Sequence, residues 1–567
     1  MDLFKTHVNA FFGKKEPWQV ATITASSTLL LVWLYQFVSQ EQSITERLKK
    51  KFFKLVRYVP SVRRKIESEF ENIQKTFEDD MMKYGDEMGY IVKLPEDGWH
   101  RKDILKKIDD YLELGHYKWD EGFVSGAVYN FDSKINELVT KVYGKTAYTN
   151  PLHPDIFPGI CKMEAEVIRM VAHLFNGNSN ACGSITTGGT ESILLACKAY
   201  RDYGREVNGI EKPNMVIPVT AHSAFDKAAQ YFGITVKTVK LDPKTYQVDL
   251  KAMERAINKN TIMLVGSAPN YPYGVMDDIE KIAKLARKYR IPLHVDACLG
   301  GFLVAFMKRA GYPLPKFDFS VKGVTSISCD PHKYGFTPKG SSIILYADKE
   351  YRHHQYTVTV NWPGGIYGSP TISGSRAGAN VATTWACLLY HGFDGYVETT
   401  KAIVDTAKYI ESKLRNVDGI FIYGTPVTSV IAMGSKVFDI FRLSDSMNQK
   451  GWNLNTLQYP SGMHICVTLM HTKDGVADNF IKDVETFVKE IMKDPGKPVE
   501  GKMAIYGVSQ TIPDRSIVGD FTRLFLDSLY FTPKKPKKLS KSGGSKLEKF
   551  SSIDNQAEST DVTLMNE

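Results

Sequence analysis

The sequence has little cysteine and no pattern that would organise it. Seven cysteines are scattered along 567 residues, and no two of them show the C-x-x-C spacing of a redox or metal site. They are Cys161, Cys182, Cys197, Cys298, Cys329, Cys387 and Cys466. We interpret them as free thiols in a reducing compartment, most simply as small buried apolar side chains, and predict no metal site.

The central region also lacks a basic motif with interleaved aromatic residues, so nucleic acid is not the favoured partner. The net charge of +9 nevertheless indicates an anionic partner, for which a membrane surface or a phosphorylated substrate would serve. The C-terminus carries neither a KDEL-type nor a prenylation signal. The apolar and charged fractions, 43% and 24%, are those of a globular protein with a large core.

One stretch near the N-terminus has no charge at all. Residues 18–38, WQVATITASSTLLLVWLYQFV, would cross a hydrocarbon layer of roughly 30 Å at about 1.5 Å per residue. Trp18, Trp33 and Tyr35 suit interfacial positions. A cleaved signal peptide and a buried amphipathic helix are the alternatives, but neither a clear cleavage site nor a polar stripe is present. We predict a single transmembrane helix over residues 18–38.

Positive charge is concentrated after this stretch. Three lysines precede it, whereas nine lysines and arginines lie between positions 47 and 65. The positive-inside rule therefore predicts a short lumenal N-terminus, residues 1–17, and a cytoplasmic C-terminal part. The basic segment within residues 39–100 either lies on the anionic leaflet or is a solvated charge run. Residues 531–567 are polar and poor in large apolar side chains, which predicts a disordered tail.

Between these ends the chain alternates strand-like and helix-like runs. The series is MVIPVTA, SAFDKAAQYFG, TVKTVKL, LKAMERAI, TIMLVGSA, DDIEKIAKLARKYR and IPLHVDAC. This alternation predicts an α/β fold with a mostly parallel sheet covered by helices, over residues 101–384. A smaller α+β domain is expected over residues 385–530. In such folds the chemistry gathers at the carboxyl ends of the strands.

Two candidate sites follow the early strands. Residues 183–192, GSITTGGTES, place glycines before a helix, where backbone N–H groups and the helix dipole can bind a phosphate. In isolation, an ordinary helix start capped by Thr187 or Thr190 is the better explanation of this segment. His222 follows the next strand, where a lone histidine is more often a structural hydrogen bonder than a reagent.

Two further residues complete a set. Asp296 follows an apolar strand, so its carboxylate needs a partner, and Lys333 lies in a turn between two strand-like runs. A phosphate cradle, a flat side chain, a carboxylate and a lysine are together what pyridoxal 5'-phosphate requires. The combination is far more informative than any one member, because capping or surface exposure would account for the lysine alone.

The order GGTES, AHSAF, HVDAC and DPHKYG resembles the group II decarboxylase-like branch of the aspartate aminotransferase fold, fold type I. More narrowly, NPLHPDIFPG, HVDACLGGF, HKYGFTPKGSS and GGIYGSPTISGSR resemble the sphingosine-1-phosphate lyase family. The likeness extends over nearly the whole chain except the tail. It implies a pyridoxal phosphate enzyme, usually a homodimer, in which residues 374–376 reach the neighbouring cofactor.

The resemblance also implies roles for single residues. Lys333 would carry the internal aldimine, Asp296 would hold the pyridinium nitrogen, His222 would stack on the ring and His332 would assist beside the lysine. The phosphate loop would contain Thr187, Gly188 and Thr190. The residues that bind the substrate phosphate or move protons would be Tyr129, His153, Lys339 and Tyr367.

The implied reaction is a retro-aldol cleavage of the Cα–Cβ bond of a phosphorylated sphingoid base, giving a long-chain fatty aldehyde and phosphoethanolamine. The expected place is the endoplasmic reticulum membrane, with one membrane pass, a lumenal N-terminus and a cytoplasmic catalytic domain. Two alternatives stay open: an amino-acid decarboxylase of the same fold, and a membrane-tethered binding or scaffold protein that has lost catalysis.

Overall fold

A computed structural model of the chain describes residues 2–38, 48, 52–53, 55–499 and 514–532. The chain divides into two compact units. One comprises residues 1–48 and 115–513, and the other comprises residues 49–114 and 514–567. The predicted tail 531–567, except its first two residues, lies outside the described residues, and so do residues 39–47, 49–51 and 54 of the predicted basic segment 39–100.

The larger unit is built on a seven-stranded sheet. Its strands, β1 to β7 in chain order, are Cys182–Thr186, Asn214–Pro218, Thr235–Val239, Thr261–Ser267, Leu293–Ala297, Val324–Cys329 and Ser342–Tyr346. They lie in the order β1-β7-β6-β5-β4-β2-β3. Strands β2 to β6 run parallel to one another, whereas β7 is antiparallel to both β6 and β1. The predicted mostly parallel sheet is confirmed, and the carboxyl ends of β1, β2, β4, β5 and β6 meet at one edge.

Both faces of the sheet are covered by other parts of the chain. Strands β2, β4, β5 and β7 are buried at every position, which is typical of strands with both faces covered. The helix Ile279–Tyr289 illustrates the covering layer, since Ile279, Ile282, Ala283 and Ala286 recur at helical spacing and are all buried. Asp278 begins this helix by accepting a hydrogen bond from the Lys281 N–H at 3.0 Å.

The larger unit has thirteen α-helices among its described residues. Two short 3₁₀ helices, Trp119–Glu121 and Leu469–Thr472, accompany them. The α-helices are Asp2–Phe12, Pro17–Val38, Ser133–Thr146, Pro158–Leu174, Gly189–Asn208, Ala224–Phe232, Leu250–Ala256, Ile279–Tyr289, Gly301–Met307, Lys349–His353, Gly378–Leu414, Ile440–Gln449 and Val476–Ile491. The helix Gly378–Leu414 kinks at Gly392, whose φ of 59° is left-handed.

A second sheet forms in the C-terminal third. A separate hairpin, β8 at Thr357–Thr359 and β9 at Tyr367–Ser369, precedes it. The four strands of the second sheet, β10 to β13, are Phe421–Ile422, Val430–Gly434, Asn455–Leu457 and Gly462–Cys466. They are antiparallel and lie in the order β10-β11-β13-β12. This region has the mixed composition that the sequence predicts. The domain boundaries placed at residues 100 and 384 stay predictions, and the helix Gly378–Leu414 runs across the second of them.

The N-terminal prediction needs a correction. A helix does form over Pro17–Val38, but no helix among the described residues is long and apolar enough to cross a membrane. The first half of this helix carries the run TITASST, in which five of seven side chains bear a hydroxyl group and lower the mean hydropathy. The prediction of a transmembrane span over residues 18–38 is therefore not supported.

The smaller unit is helical among its described residues. Its helices are Pro60–Met88, Arg101–Leu112 and Arg515–Ser528. The first and last of these contact each other through Phe70 and Phe521, whose ring centroids are 4.7 Å apart. The Arg57 guanidinium lies 2.7 Å from the Asp514 carboxylate, at the start of the last helix. Residues distant in sequence thus form this unit together.

Candidate active site

A cavity of about 270 Å³ lies at the carboxyl edge of the main sheet. Four residues predicted from the sequence line it: Tyr129, His222, Asp296 and Lys333. The other lining residues are Thr220, Ser267, Pro269, Tyr271, Cys298 and Leu299. The parallel topology explains this meeting, since Asp296 ends β5, Lys333 follows β6 and His222 follows β2.

Lys333 forms an ion pair within its own turn. Its Nζ atom lies 2.8 Å from Oδ2 of Asp330, whose side chain is only 1% exposed. Burial favours the neutral form of both groups, but each charge stabilises the other. The outcome is that the pKa of Asp330 is held below its usual value and the pKa of Lys333 is raised. Lys333 is therefore a cation held beside the cavity by a buried carboxylate.

His332 lies on the other side of the same carboxylate. Its Nδ1 atom accepts a hydrogen bond from the Ser341 N–H at 3.2 Å, and its Nε2 atom is 3.6 Å from Asp330 Oδ2. Burial lowers the pKa of His332 to about 4, although Asp330 opposes this. The imidazole is thus neutral near pH 7, and the accepting Nδ1 places its proton on Nε2, facing Asp330.

Asp296 has the hydrogen-donating partners that its burial requires. Its Oδ1 atom accepts a hydrogen bond from the Cys298 N–H at 3.0 Å and lies 3.5 Å from the Ser328 hydroxyl. The side chain is 7% exposed and lines the cavity. Neither partner was evident from the sequence. Ser328 in particular lies on the neighbouring strand, at the position paired with Asp296.

His222 lines the same cavity as Asp296. Its Nδ1 atom accepts a hydrogen bond from the Ala224 N–H at 3.1 Å, at the start of the helix Ala224–Phe232. This bond fixes the orientation of the imidazole ring. The cavity therefore has a flat side chain and a carboxylate in its wall, as the sequence predicts for a ring-binding site.

The glycine segment before the helix Gly189–Asn208 packs against the lysine turn. A Cβ atom on Gly188 would lie 3.7 Å from His332 Cε1, and one on Gly189 would lie 2.7 Å from Asp330 Oδ2. The second distance is too short for any side chain. Thr187 is exposed and Thr190 half-buried. The predicted phosphate loop, Thr187, Gly188 and Thr190, thus adjoins the lysine turn, although these three residues do not line the cavity itself.

Lys339 lies at the far end of the turn. Its Nζ atom donates a hydrogen bond to the His332 carbonyl at 3.1 Å and lies 4.6 Å from the ring centroid of Tyr129. Burial, with repulsion from Lys333, lowers the pKa of Lys339 to about 8. Burial raises the pKa of Tyr129, so this phenol stays protonated. Lys339 and Tyr129 are brought together as the sequence predicts.

Seven predicted site residues are not in the cavity wall: His332, Lys339, Thr187, Gly188, Thr190, His153 and Tyr367. His153 is exposed in the loop before the helix Pro158–Leu174, and Tyr367 begins β9 with its hydroxyl packed against Gly374. Arg376 makes a bidentate pair with Glu164 of its own chain, with one N···O distance of 2.9 Å. The roles of His153 and Tyr367 in catalysis stay predictions.

The sequence reasoning missed Asp330 and Tyr271. Asp330 stands three residues before Lys333, a spacing that the sequence shows plainly but that a polar turn also explains. Tyr271 follows β4, and the parallel topology places it at the same edge as the other site residues. Its ring lies 4.8 Å from that of His464, centroid to centroid.

The residues present fit pyridoxal 5'-phosphate. Two buried oxygens at the site, Thr220 Oγ1 and Asp330 Oδ1, have no hydrogen-bond partner among the residues that the structure describes, and buried polar atoms of this kind normally have one. The lysine, the carboxylate Asp296 and the imidazole of His222 surround one cavity. A cofactor with an aldehyde, a ring nitrogen and a phosphate suits this donor set.

Comparison with known proteins agrees with this chemistry. Residues 88–434 match the family model "Pyridoxal-dependent decarboxylase conserved domain". The sphingosine-1-phosphate lyase of Drosophila melanogaster is 60% identical over 526 residues, covering 93% of this chain and 96% of that protein. Sphingosine-1-phosphate lyase 1 of Mus musculus is 50% identical over 529 residues, covering 93% of each.

A solved structure is similar as well. The sphingosine-1-phosphate lyase of Burkholderia pseudomallei superimposes with a TM-score of 0.73 at 38% sequence identity. The match covers 79% of this chain and 99% of that structure. The similarity that supports the fold and the cofactor chemistry therefore extends over most of the chain.

Proposed function

Because the chain belongs to the pyridoxal-dependent decarboxylase family and, within it, to the sphingosine-1-phosphate lyases, we propose that it cleaves phosphorylated sphingoid bases. The reaction breaks the Cα–Cβ bond and releases a long-chain fatty aldehyde and phosphoethanolamine. The observation that carries this proposal is Lys333, paired with Asp330 at 2.8 Å and facing a cavity lined by Asp296 and His222.

Pyridoxal 5'-phosphate, when bound, supplies an electron sink that weakens the bonds at the substrate Cα. The residues of the chain would hold it in defined ways. Lys333 offers the amine for attachment, Asp296 keeps a proton on the ring nitrogen, and His222 covers the ring face. Thr187, Gly188 and Thr190 would hold the phosphate with N–H and hydroxyl donors.

Lys339 and Tyr129 are proposed to bind the phosphate of the substrate. The depressed pKa of Lys339, about 8, leaves it mostly cationic at pH 7, and its Nζ atom lies 4.6 Å from the centroid of the Tyr129 ring. His153 and Tyr367 are proposed to bind the substrate phosphate or move protons, and they would have to approach the cavity to do so.

One assay tests the function directly. Purified protein loaded with pyridoxal 5'-phosphate is incubated with a phosphorylated sphingoid base, and fatty aldehyde and phosphoethanolamine are measured, with Lys333→Ala as the control. We expect both products from the wild type and neither from the variant. No aldehyde from any such base would defeat the proposal.

A decarboxylase of the same fold would use the same cavity and the same lysine. Release of carbon dioxide from amino acids, without aldehyde from phosphorylated bases, would select it. A scaffold protein that has lost catalysis would show no absorbance change on mixing with the cofactor. The intact Lys333 and Asp296, which line one cavity, disfavour the scaffold alternative.

We also propose a homodimer. The β8–β9 hairpin and its loop expose large apolar side chains, with Val358, Trp362 and Ile366 at 64%, 56% and 82% exposure, and a second copy would cover such a patch. In this arrangement residues 374–376 would reach the neighbouring cofactor. A light-scattering mass equal to one chain would rule the dimer out.

The substrate is an amphiphile, so we propose that the protein acts at the cytoplasmic face of the endoplasmic reticulum membrane. The helix Pro17–Val38 exposes Leu29, Leu30 and Leu31 at 70%, 56% and 66%, and such side chains favour a lipid surface. Flotation with anionic vesicles tests this, and replacing Leu30 and Leu31 by serine should lower the bound fraction.

A further inference from the structure

Glu191 is a buried carboxylate beside the phosphate loop that the proposed reaction does not use. It stands in the first turn of the helix Gly189–Asn208 and is 8% exposed. A buried carboxylate normally has hydrogen-bond donors on its oxygens. The donors it has here reveal its role.

Two chain segments meet on this one carboxylate. Oε2 accepts hydrogen bonds from the Thr187 N–H at 2.8 Å and from the Thr187 hydroxyl at 2.6 Å. Oε1 accepts from the Ile372 N–H at 3.0 Å. Glu191 therefore joins the predicted phosphate loop to the segment between Tyr367 and Arg376.

A carboxylate suits this position better than any neutral group. Three donors converge on it, and an ionised carboxyl group only accepts hydrogen bonds. An amide of the same shape would turn its NH₂ group toward one of these donors. The N-terminus of the helix also stabilises the negative charge, so a carboxylate is tolerated close to an anion-binding loop.

We propose that Glu191 is a positioning residue that holds Thr187 and Gly188 in the shape that receives the cofactor phosphate. It acts through the loop, and Ile372 fixes the other side of the carboxylate. This inference rests on the proposed function, since it concerns the phosphate of pyridoxal 5'-phosphate.

The test compares two ligands that differ only in the phosphate group. Apoenzyme is titrated with pyridoxal 5'-phosphate and with pyridoxal, and binding is followed by the absorbance of the bound chromophore. For Glu191→Gln we expect the Kd of pyridoxal 5'-phosphate to rise about tenfold or more, because charged hydrogen bonds are lost. The Kd of pyridoxal should stay within about twofold, since pyridoxal makes no demand on the phosphate loop.

Ser192→Ala is the matched control. Ser192 is the next residue of the same helix, is fully buried and bonds Thr186 and Ser342 rather than Thr187. It should lower the thermal stability of the apoenzyme without changing the ratio of the two Kd values. If Glu191→Gln does not fold, Glu191→Asp takes its place, because its shorter side chain cannot reach both segments. The ratio of the Kd values of pyridoxal 5'-phosphate and pyridoxal is again the deciding measurement.

The outcomes separate the inference from the function beneath it. Equal weakening of both ligands, or no weakening of either, in a variant of an otherwise competent wild type would overturn the role of Glu191 alone. A wild-type protein that binds neither ligand would overturn the proposed function and this inference with it. A selective loss of pyridoxal 5'-phosphate affinity supports both.

Discussion

Lys333 and Lys339 occupy the two ends of the turn between β6 and β7, and their surroundings differ in one respect. Burial disfavours the charged form of both. Lys333 has the carboxylate of Asp330 at 2.8 Å, and its pKa is raised. Lys339 has a backbone carbonyl and an aromatic ring instead, and its pKa is lowered to about 8.

The difference shows that the partner, rather than the residue type, decides what each lysine can do. A carboxylate in contact offsets the desolvation of an ammonium group, whereas a carbonyl and a ring face do so only in part. Lys333 is thereby held in place as a permanent cation until a cofactor replaces that arrangement. Lys339 is free to gain and lose a proton near neutral pH, as a group that meets a phosphate can.

Replacing Lys333 by methionine should have the largest effect. We expect aldehyde formation to fall by at least about a thousandfold, because the attached amine is lost. The apoenzyme should also lose about 3–5 kcal/mol of stability, since Asp330 is left buried without its cation. Product assays and chemical denaturation measure the two effects. Lys339→Met is the matched control, and an equal loss of activity there would remove the distinction between the two lysines.

Asp330→Asn should come next. Without the carboxylate, burial lowers the pKa of Lys333, so more of its amine is neutral and able to attack an aldehyde at pH 7. The rate of pyridoxal attachment to the apoenzyme should rise about tenfold for each unit by which the pKa falls. Stopped-flow absorbance measures this rate. An unchanged rate at pH 7 would mean that Asp330 does not govern the charge of Lys333.

The fold was largely predictable because it rests on local patterns. Apolar runs alternating with amphipathic segments predict a parallel sheet, and its strand ends bring Asp296, His222 and Lys333 to one edge. The sequence could not show the antiparallel direction of β7, because the apolar run SIILY reads the same in either orientation. A strand's neighbours depend on chain-wide topology.

The site residues that the sequence did not reveal are those whose contacts arise only in the folded chain. Asp330 looks like an ordinary turn residue until its oxygen is seen at Lys333, and Tyr271 reaches the cavity only through strand order. Conversely, His153 and Tyr367 were assigned by resemblance, and neither lines the cavity.

The uncharged run at residues 18–38 predicts a helix correctly, but hydroxyl side chains lower the hydropathy on which a membrane span depends.

Lys339 should control how substrate binding depends on pH. The substrate phosphate monoester is a dianion above its second pKa of about 6, so it binds best while Lys339 is protonated. Because the pKa of Lys339 is about 8, we expect KM to rise as the pH increases through 8. Lys339→Met should raise KM about tenfold at pH 7 and remove this rise. In Lys339→Arg, KM should stay low across the same range; a wild-type rise that persists there would assign the titration to another group.

The smallest effect should be a shift in the pKa of Lys339 when Lys333 is replaced by methionine. The Lys333 cation lowers the pKa of Lys339, although burial lowers it more. Removing that cation should move the pKa of Lys339 upward from about 8, part of the way to its ordinary value. The measurement is the pH dependence of Lys339 acylation in the apoenzyme, read by mass spectrometry at that residue. Lys288, a distant surface lysine paired with Glu254, serves as the internal reference, since its midpoint should not move. If the midpoint of Lys339 stays fixed as well, the two lysines do not interact electrostatically, and burial alone lowers the pKa of Lys339.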